Sequence, residues 1–342
     1  MRVGIVGVAT TYWPVAIARG LQASRGVHLV AAASLGVTAT VARRYLGVSP
    51  EDYADGLGIE LYRDPEEMVE RERLDAVVLC TRHTRHAKWT EAMAKLGLDI
   101  FIPKTFATTL ADTERIVRAQ RQYRVNIAVG PSGRYVPAIA AAKRAVAKGR
   151  IGRPFAMRLC HHHGTLDSFP KGDWYRDPRE GGPELSLGWY VIDLVLDFMG
   201  RRVESVFAQY ANYTSPDSPF MDCGKLVMRL AGGAMASCDM YFCNRVPYPS
   251  WEMEVVGPRG AVRVHPVRAG STEIAASLCT ARGTTPLPPP RRTPHWELFW
   301  VEDFKKGRPA AISPDVAAAI TRISLAARDS ARKGRPVVLT EV

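Results

Sequence analysis

The chain has 342 residues, a formal net charge of +12, a hydrophobic fraction of 46% and six cysteines. This length and composition favour two folded domains and exclude a wholly disordered or fibrous chain. No apolar run approaches the roughly 18 residues of a membrane-spanning helix. The N-terminus begins directly with a strand pattern, which predicts a cytoplasmic protein. Because the basic residues are dispersed and no C-x-x-C pair occurs, neither nucleic-acid binding nor a zinc or disulfide framework is indicated.

From residue 2 to about 129, short apolar strands alternate with helical patterns, as in a parallel sheet built from βαβ units. The predicted strands cover residues 3–7, 28–33, 75–80, 99–102 and 125–129. The predicted helices cover residues 14–23, 39–46, 65–71, 86–96 and 110–122. We therefore expect an α/β, doubly wound (Rossmann) domain over residues 1–125 that binds a dinucleotide.

After residue 133 the pattern changes to that of an α+β domain, which we expect over residues 126–342. Helices are predicted at 135–148, 184–199, 296–306 and 314–333, and a proline-rich surface loop at 284–290. Strands are predicted at 154–163, 203–213, 224–231, 235–243, 251–256 and 260–265. Short glycine-containing links between them predict hairpins and hence a mostly antiparallel open sheet. Large apolar residues in 235–243 favour self-association through the open face of that sheet.

The turn after the first strand carries part of a dinucleotide fingerprint. In a G-x-G-x-x-G turn, glycine backbone and a helix N-terminus cradle the pyrophosphate. Gly7 retains the first glycine, whereas Ala9 and Tyr12 replace the second and third. We expect the hydroxyls of Thr10 and Thr11 to donate hydrogen bonds to a phosphate and to compensate in part.

The end of the second strand bears on the choice of cofactor. An acidic residue there binds the free 2′-hydroxyl of NAD. Ser34 occupies this place without a carboxylate, and Arg43 or Arg44 is a candidate to bind the 2′-phosphate of NADP. Ser34 is expected to contact the cofactor, and both NAD and NADP stay open.

Two further segments resemble motifs of a dehydrogenase family. Residues 77–86 resemble T-P-N-x-x-H, which lines the nicotinamide side in that family. Thr81 and His86 match this motif. Arg82 and His83 stand where proline and asparagine are usual. Residues 101–105 resemble an E-K-P motif, of which only Lys104 is retained.

The second half adds two more resemblances. Residues 174–178 and the glycines that follow resemble W-R-x-D-P…G-G-G. Residues 186–193 resemble D-x-G-x-H-x-x-D, with Ser186 and Tyr190 in place of the first aspartate and the histidine. Together these segments resemble the glucose–fructose oxidoreductase/inositol dehydrogenase (Gfo/Idh/MocA) family over nearly the whole chain. The resemblance implies an NAD(P)-dependent oxidoreductase, forming a dimer or tetramer, that acts on a secondary hydroxyl or ketone of a sugar, cyclitol or related polyhydroxy compound.

Hydride transfer of this kind needs a group that moves the hydroxyl proton and a charge that stabilises the developing alkoxide. The resemblance implies that Tyr190 is the acid/base and Lys104 its electrostatic partner. Helical spacing puts Ser186, Tyr190 and Asp193 on one face. Asp193 is expected to orient Lys104 or a substrate hydroxyl, or else to be a satisfied structural carboxylate.

Several polar and aromatic residues are candidates to bind the substrate. Because side chains alternate along a strand, only His161 and His163 of the run 161–163 share a face, and no metal site is indicated. Trp174 and Arg176 are expected to form a pocket wall that stacks on a sugar ring and binds an anionic group, with Ser186 nearby. The alternative for Arg176 is an ion pair with Asp177 that holds the loop.

Two other functions stay open. Transient oxidation by the same cofactor permits elimination, which would give a lyase or glycosidase without net redox change. Alternatively, the altered motif positions mark a relative that has lost cofactor binding and serves as a non-catalytic subunit.

Overall fold

The computed structural model describes residues 1–10, 12–169, 171–200, 202–246 and 248–339. These residues form two compact units. Unit 1 contains 1–131 and 297–319, and unit 2 contains 132–296 and 320–342. The units interleave along the chain, whereas the sequence suggested one boundary between residues 125 and 126.

Unit 1 is built on a six-stranded parallel sheet with the order β3-β2-β1-β4-β5-β6. Its strands are β1 (Arg2–Val6), β2 (His28–Ala33), β3 (Glu60–Tyr62), β4 (Ala76–Leu79), β5 (Asp99–Pro103) and β6 (Ile127–Gly130). Its helices up to β6 are α1 (Trp13–Gln22), α2 (Ala39–Leu46), α3 (Pro50–Leu57), α4 (Pro65–Glu72), α5 (His86–Lys95) and α6 (Leu110–Tyr123). This is the strand order of dinucleotide-binding folds, so the expected doubly wound domain is confirmed.

Two elements of unit 1 were missed from the sequence, α3 and β3. The start of α3 has a recognisable signal, because the Ser49 hydroxyl accepts the N–H of Asp52 and Pro50 begins the helix. The strand β3 has only three residues, none of them fully buried, and therefore shows no clear hydrophobic pattern.

The segment 297–319 joins unit 1 through aromatic packing. Trp300 is fully buried and stacks on Phe101 of β5 with ring centroids 5.1 Å apart, and the Phe299 ring meets Phe101 edge-on. The segment contains α9 (Val301–Lys305) and the start of α10 (Pro314–Lys333). The predicted helix 296–306 is thus too long, because these aromatic residues pack from a turn that precedes α9.

Unit 2 contains a nine-stranded sheet with the order β14-β13-β12-β11-β7-β10-β9-β8-β15. The strands are β7 (Ala156–His162), β8 (Val203–Ala211), β9 (Cys223–Leu230), β10 (Ala234–Tyr241), β11 (Trp251–Gly257), β12 (Gly260–Pro266), β13 (Ile274–Thr280), β14 (Gly283–Leu287) and β15 (Val337–Val338). Adjacent strands are antiparallel except the central pair β7 and β10. The expected mostly antiparallel sheet is confirmed.

One face of this sheet is covered by helices α7 (Pro137–Ala147) and α8 (Gly182–Met199). Along β9 and β10, buried residues alternate with exposed ones such as Val227 and Met235. The predicted surface loop 284–290 is wrong in its first half, since β14 pairs with β13. Pro286 is compatible with that strand because β14 lies at the sheet edge, where a backbone N–H is dispensable.

Candidate active site

The carboxyl ends of β1 and β4 lie side by side where the strand order of unit 1 reverses. In such sheets this switch point is the ligand crevice. Gly7 follows β1 with φ of +89°, and a Cβ there would collide with the carbonyl of Cys80, beyond the end of β4. The retained glycine is therefore required both by its positive φ and by the close approach of the two chain segments.

The rest of the turn departs from the fingerprint. The Thr10 hydroxyl donates to the Cys80 carbonyl at 2.7 Å, so it is not the phosphate donor that the sequence suggested. Thr11 lies outside the described residues. Ala9 is half-buried, and Tyr12 is half-exposed at the position preceding α1, with its ring 4.4 Å from that of Trp13.

The start of α1 remains suited to an anion. No side chain caps this end, although Pro14 has no N–H to donate and the N–H groups of Val15 and Ala16 both bond the Tyr12 carbonyl. The backbone N–H groups at a helix N-terminus attract a phosphate through hydrogen bonding and the helix dipole. Together with the close approach at Gly7, this uncapped end fits the pyrophosphate of a dinucleotide.

Residues after β4 form a compact, partly buried turn. The expected nicotinamide-side residues divide into buried Thr81, His83 and His86, and exposed Arg82. The His83 and His86 rings meet edge-on at 5.7 Å. His86 Nδ1 bonds the Phe106 carbonyl, and burial lowers the pKa of its imidazole to about 4. His86 is therefore neutral at physiological pH, and its hydrogen bond links the turn to residue 106.

Lys104 follows β5, the next strand from the switch point. Its backbone N–H donates to the Gly130 carbonyl, beside the end of β6. The side chain is half-buried, and desolvation lowers the pKa of its ammonium to about 8. A lysine of this pKa changes charge near physiological pH, which is the property required of a group that assists proton transfer.

In unit 2 a cavity of about 340 Å³ opens beside Tyr190 of α8. Its lining residues are His161, His162, His163, Gly164, Tyr190, Asn244, Val246, Tyr248, Ser250, Trp251 and Trp296. The Tyr190 side chain is buried, with its ring edge-on to His161 at 4.9 Å and stacked on Trp296 at 6.3 Å. A cavity that combines aromatic walls with hydrogen-bonding groups suits a small polyhydroxy ligand.

The histidine run lies at the end of β7. His161 pairs across strands with Trp251, and the two rings stack at 3.9 Å. His161 Nδ1 bonds the Ser250 carbonyl at 2.8 Å, which places the proton on Nδ1 and leaves Nε2 as the acceptor of the neutral ring. His163 lies edge-on to His161 at 6.0 Å, as alternation predicts. His162 also lines the cavity, because β7 ends there and the chain turns.

Three other predicted substrate residues do not line this cavity. Arg176 donates to the carbonyls of Leu166 and Phe169, and so stabilises the preceding loop rather than binding an anion. Ser186 is buried and shares a hydrogen bond of 2.6 Å with the Tyr175 hydroxyl. Trp174 is buried beside Tyr175. Asp177 pairs with Arg179, not with Arg176.

Asp193 is fully buried and already paired. Ser132 donates to its carboxylate at 2.5 Å, and Arg134 approaches it with two nitrogens, Nε lying 3.0 Å from Oδ1. Arg134 also lies 3.4 Å from Asp197. These contacts favour the structural interpretation of Asp193 over the orienting one.

Sequence reasoning missed eight of the eleven residues that line the cavity, among them Asn244, Tyr248, Ser250, Trp251 and Trp296. These residues are far from Tyr190 along the chain and belong to no recognisable motif, so only folding brings them to the cavity.

Among the described residues, no three His, Cys, Asp or Glu side chains are grouped so that they could hold a metal. No described helix is long and apolar enough to span a membrane.

Both halves of the chain match models of known domains. Residues 1–131 match the oxidoreductase family with an NAD-binding Rossmann fold, and residues 139–263 match the GFO/IDH/MocA C-terminal domain.

Relatives that align with most of the chain agree with these matches. Myo-inositol 2-dehydrogenase of Thermotoga maritima is 27% identical, over 84% of this chain and 86% of its own. The NAD(+)-dependent scyllo-inositol 2-dehydrogenase of Bacillus subtilis is 24% identical, over 84% and 85%. An Agrobacterium radiobacter oxidoreductase, solved with NAD+, L-tartaric acid and magnesium, shares the fold with a TM-score of 0.81 at 18% identity, covering 99% of this chain and 98% of that one.

Proposed function

Because this chain belongs to the Gfo/Idh/MocA family of NAD-binding oxidoreductases, we propose that it oxidises a secondary hydroxyl, or reduces the matching ketone, of a sugar or cyclitol. The observation that carries this proposal is the cavity of about 340 Å³ whose wall includes Tyr190. Its imidazole, amide and hydroxyl groups, beside indole rings, offer what a polyhydroxy ring requires: hydrogen bonds at its edge and apolar contact on its face.

The cofactor is assigned to unit 1. The turn at Gly7, the uncapped start of α1 and Ser34 at the end of β2 would hold its pyrophosphate and adenosine parts, and residues 81–86 its nicotinamide side. When bound, NAD(P) supplies the hydride acceptor or donor. The relatives named as inositol dehydrogenases support the same class of reaction.

Tyr190 is the proposed acid/base, and Lys104 is its proposed electrostatic partner. In oxidation, the phenolate oxygen of Tyr190 takes the proton of the substrate hydroxyl, and in reduction the phenol returns it. The ammonium of Lys104 would stabilise the phenolate and the developing alkoxide. His161, with its proton fixed on Nδ1, presents Nε2 as an acceptor for a substrate hydroxyl. Dimer or tetramer formation through the open face of the unit 2 sheet stays a prediction.

The test begins with binding and ends with turnover. Purified protein is titrated with NADH and NADPH, and then assayed with a panel of cyclitols and aldoses. We expect binding of at least one cofactor and stoichiometric formation of NAD(P)H with one polyol class. Absence of binding for both cofactors would contradict the proposal, and bond cleavage without net reduction of the cofactor would favour the lyase alternative.

Tyr190→Phe removes only the hydroxyl that moves the proton. We expect kcat to fall at least about tenfold while cofactor affinity is retained. Tyr175→Phe is the matched control, because this tyrosine is also buried but bonds Ser186 and does not line the cavity. Equal kcat values for Tyr190→Phe and the unmutated protein would refute the assignment of the acid/base.

A further inference from the structure

The end of β2 lies where a dinucleotide-binding fold meets the adenosine ribose. β2 ends at Ala33, and the turn Ser34-Leu35-Gly36 contains no carboxylate. The Ser34 backbone N–H donates to the Tyr62 carbonyl. Its hydroxyl oxygen accepts the N–H of Gly36 at 3.4 Å, which leaves the hydroxyl proton available to an external acceptor.

Arg63 lies directly against this turn. It follows β3, which runs parallel to β2 with Ala33 opposite Tyr62, so the carboxyl ends of the two strands are neighbours. A Cβ built on Gly36 would lie 3.2 Å from Arg63 Nε and 3.5 Å from Nη2. Gly36 has a φ of +71°, and so glycine serves both the turn and the close approach of the guanidinium.

The Arg63 guanidinium is not used elsewhere in the described part of the chain. It is exposed, and no described side chain forms an ion pair or hydrogen bond with it. The adjacent Asp64 is engaged, because its carboxylate accepts the N–H groups of Glu66 and Glu67 at the start of α4. A planar guanidinium with uncommitted donors matches a phosphate, which it can bind with two parallel hydrogen bonds.

The arginines suggested by the sequence are less well placed. Arg43 and Arg44 both belong to the last turn of α2, whose N-cap is Thr38. At 1.5 Å per residue, Arg43 lies about 7.5 Å along the helix axis from that cap. Arg63 instead meets the turn itself, at Gly36.

We propose that Arg63, together with the Ser34 hydroxyl, forms a site for the 2′-phosphate of NADP(H), and that this chain prefers NADP(H) to NAD(H). The inference rests on the proposed function, because it concerns the cofactor of that reaction. The absence of a carboxylate at residues 34–36 removes the repulsion that would exclude the phosphate, and Arg63 supplies the attraction.

Cofactor binding itself is the readout. The full chain is titrated with NADPH and NADH by fluorescence at constant ionic strength in a phosphate-free buffer. We expect NADPH to bind at least about tenfold more tightly than NADH, because a charge-assisted bidentate contact is present with only one of them. Arg63→Ala should remove most of that difference by weakening NADPH alone. Ser34→Asp should reverse the preference.

Two control variants and two outcomes for the unmutated protein make the result decisive. Arg118→Ala removes an exposed arginine of α6, which pairs with Glu114, and should change neither affinity. Arg43→Ala tests the alternative arginine, and a loss of preference there but not in Arg63→Ala would overturn the assignment of Arg63. Equal binding of NADH and NADPH by the unmutated protein would overturn the preference while leaving the proposed function intact. Failure of both cofactors to bind would instead refute the proposed function.

Discussion

Replacing Asp193 with alanine separates its two possible roles, holding unit 2 together or serving the reaction. The carboxylate is fully buried, and its loss would leave Arg134, only 17% exposed, with Asp197 at 3.4 Å as its remaining carboxylate among the described residues. Removing one partner of a buried ion pair costs about 3–5 kcal/mol. Because Asp197 would still offset part of the Arg134 charge, we expect the free energy of unfolding to fall by about 3 kcal/mol, the lower end of that range.

The assay is urea unfolding followed by circular dichroism, with kcat measured on the folded protein. Asp329→Ala is the control, because it breaks exposed ion pairs on α10 and should cost less than about 1 kcal/mol. The double variant Asp193→Leu with Arg134→Met should recover much of the lost stability, since a buried ion pair is replaceable by apolar side chains of similar volume.

The structural interpretation of Asp193 is refuted by one combination of results. If Asp193→Ala unfolds with the same free energy as the unmutated protein while kcat falls at least about tenfold, the carboxylate acts on the reaction. If the free energy of unfolding of Asp193→Ala falls while the folded protein keeps its kcat, the role of Asp193 is the ion pair with Arg134.

Two pH predictions follow from desolvated basic side chains in unit 1. Burial lowers the pKa of His86 from 6.5 to about 4. As the pH falls, the unfolded chain therefore takes up this proton before the folded protein does. The free energy of unfolding should fall by about 3 kcal/mol between pH 6.5 and 4. His86→Gln should flatten this pH dependence, measured by denaturant titrations. Parallel plots of unfolding free energy against pH for the variant and the unmutated protein would contradict the prediction. Burial likewise lowers the pKa of Lys104 to about 8, so NMR of ¹³C-methylated lysines should show one resonance titrating near pH 8. That resonance should be missing from Lys104→Met, and its persistence there would exclude Lys104 as its source.

Much of unit 1 is predictable because its signals are local. The helix α2 and the strand β2 occur over the residues that the sequence predicted, 39–46 and 28–33. Their ends are marked by capping residues such as Thr38 and by the boundary of a buried apolar run. Elements without such marks were missed. One example is β14, the exposed strand at the edge of the unit 2 sheet.

The sites divide in the same way. The sequence alone determined the fold class, the family resemblance, the importance of Gly7 and the candidacy of Lys104 and Tyr190, because motif spacing and strand ends are properties of short segments. Only the tertiary structure decided how polar side chains are used. It commits Thr10 to the Cys80 carbonyl, Arg176 to a loop and Asp193 to Arg134, and it brings Arg63 to the end of β2 and Trp251 to the wall beside Tyr190. A hydrogen-bonding side chain can meet many partners, and which one it meets depends on residues distant in sequence that packing brings close.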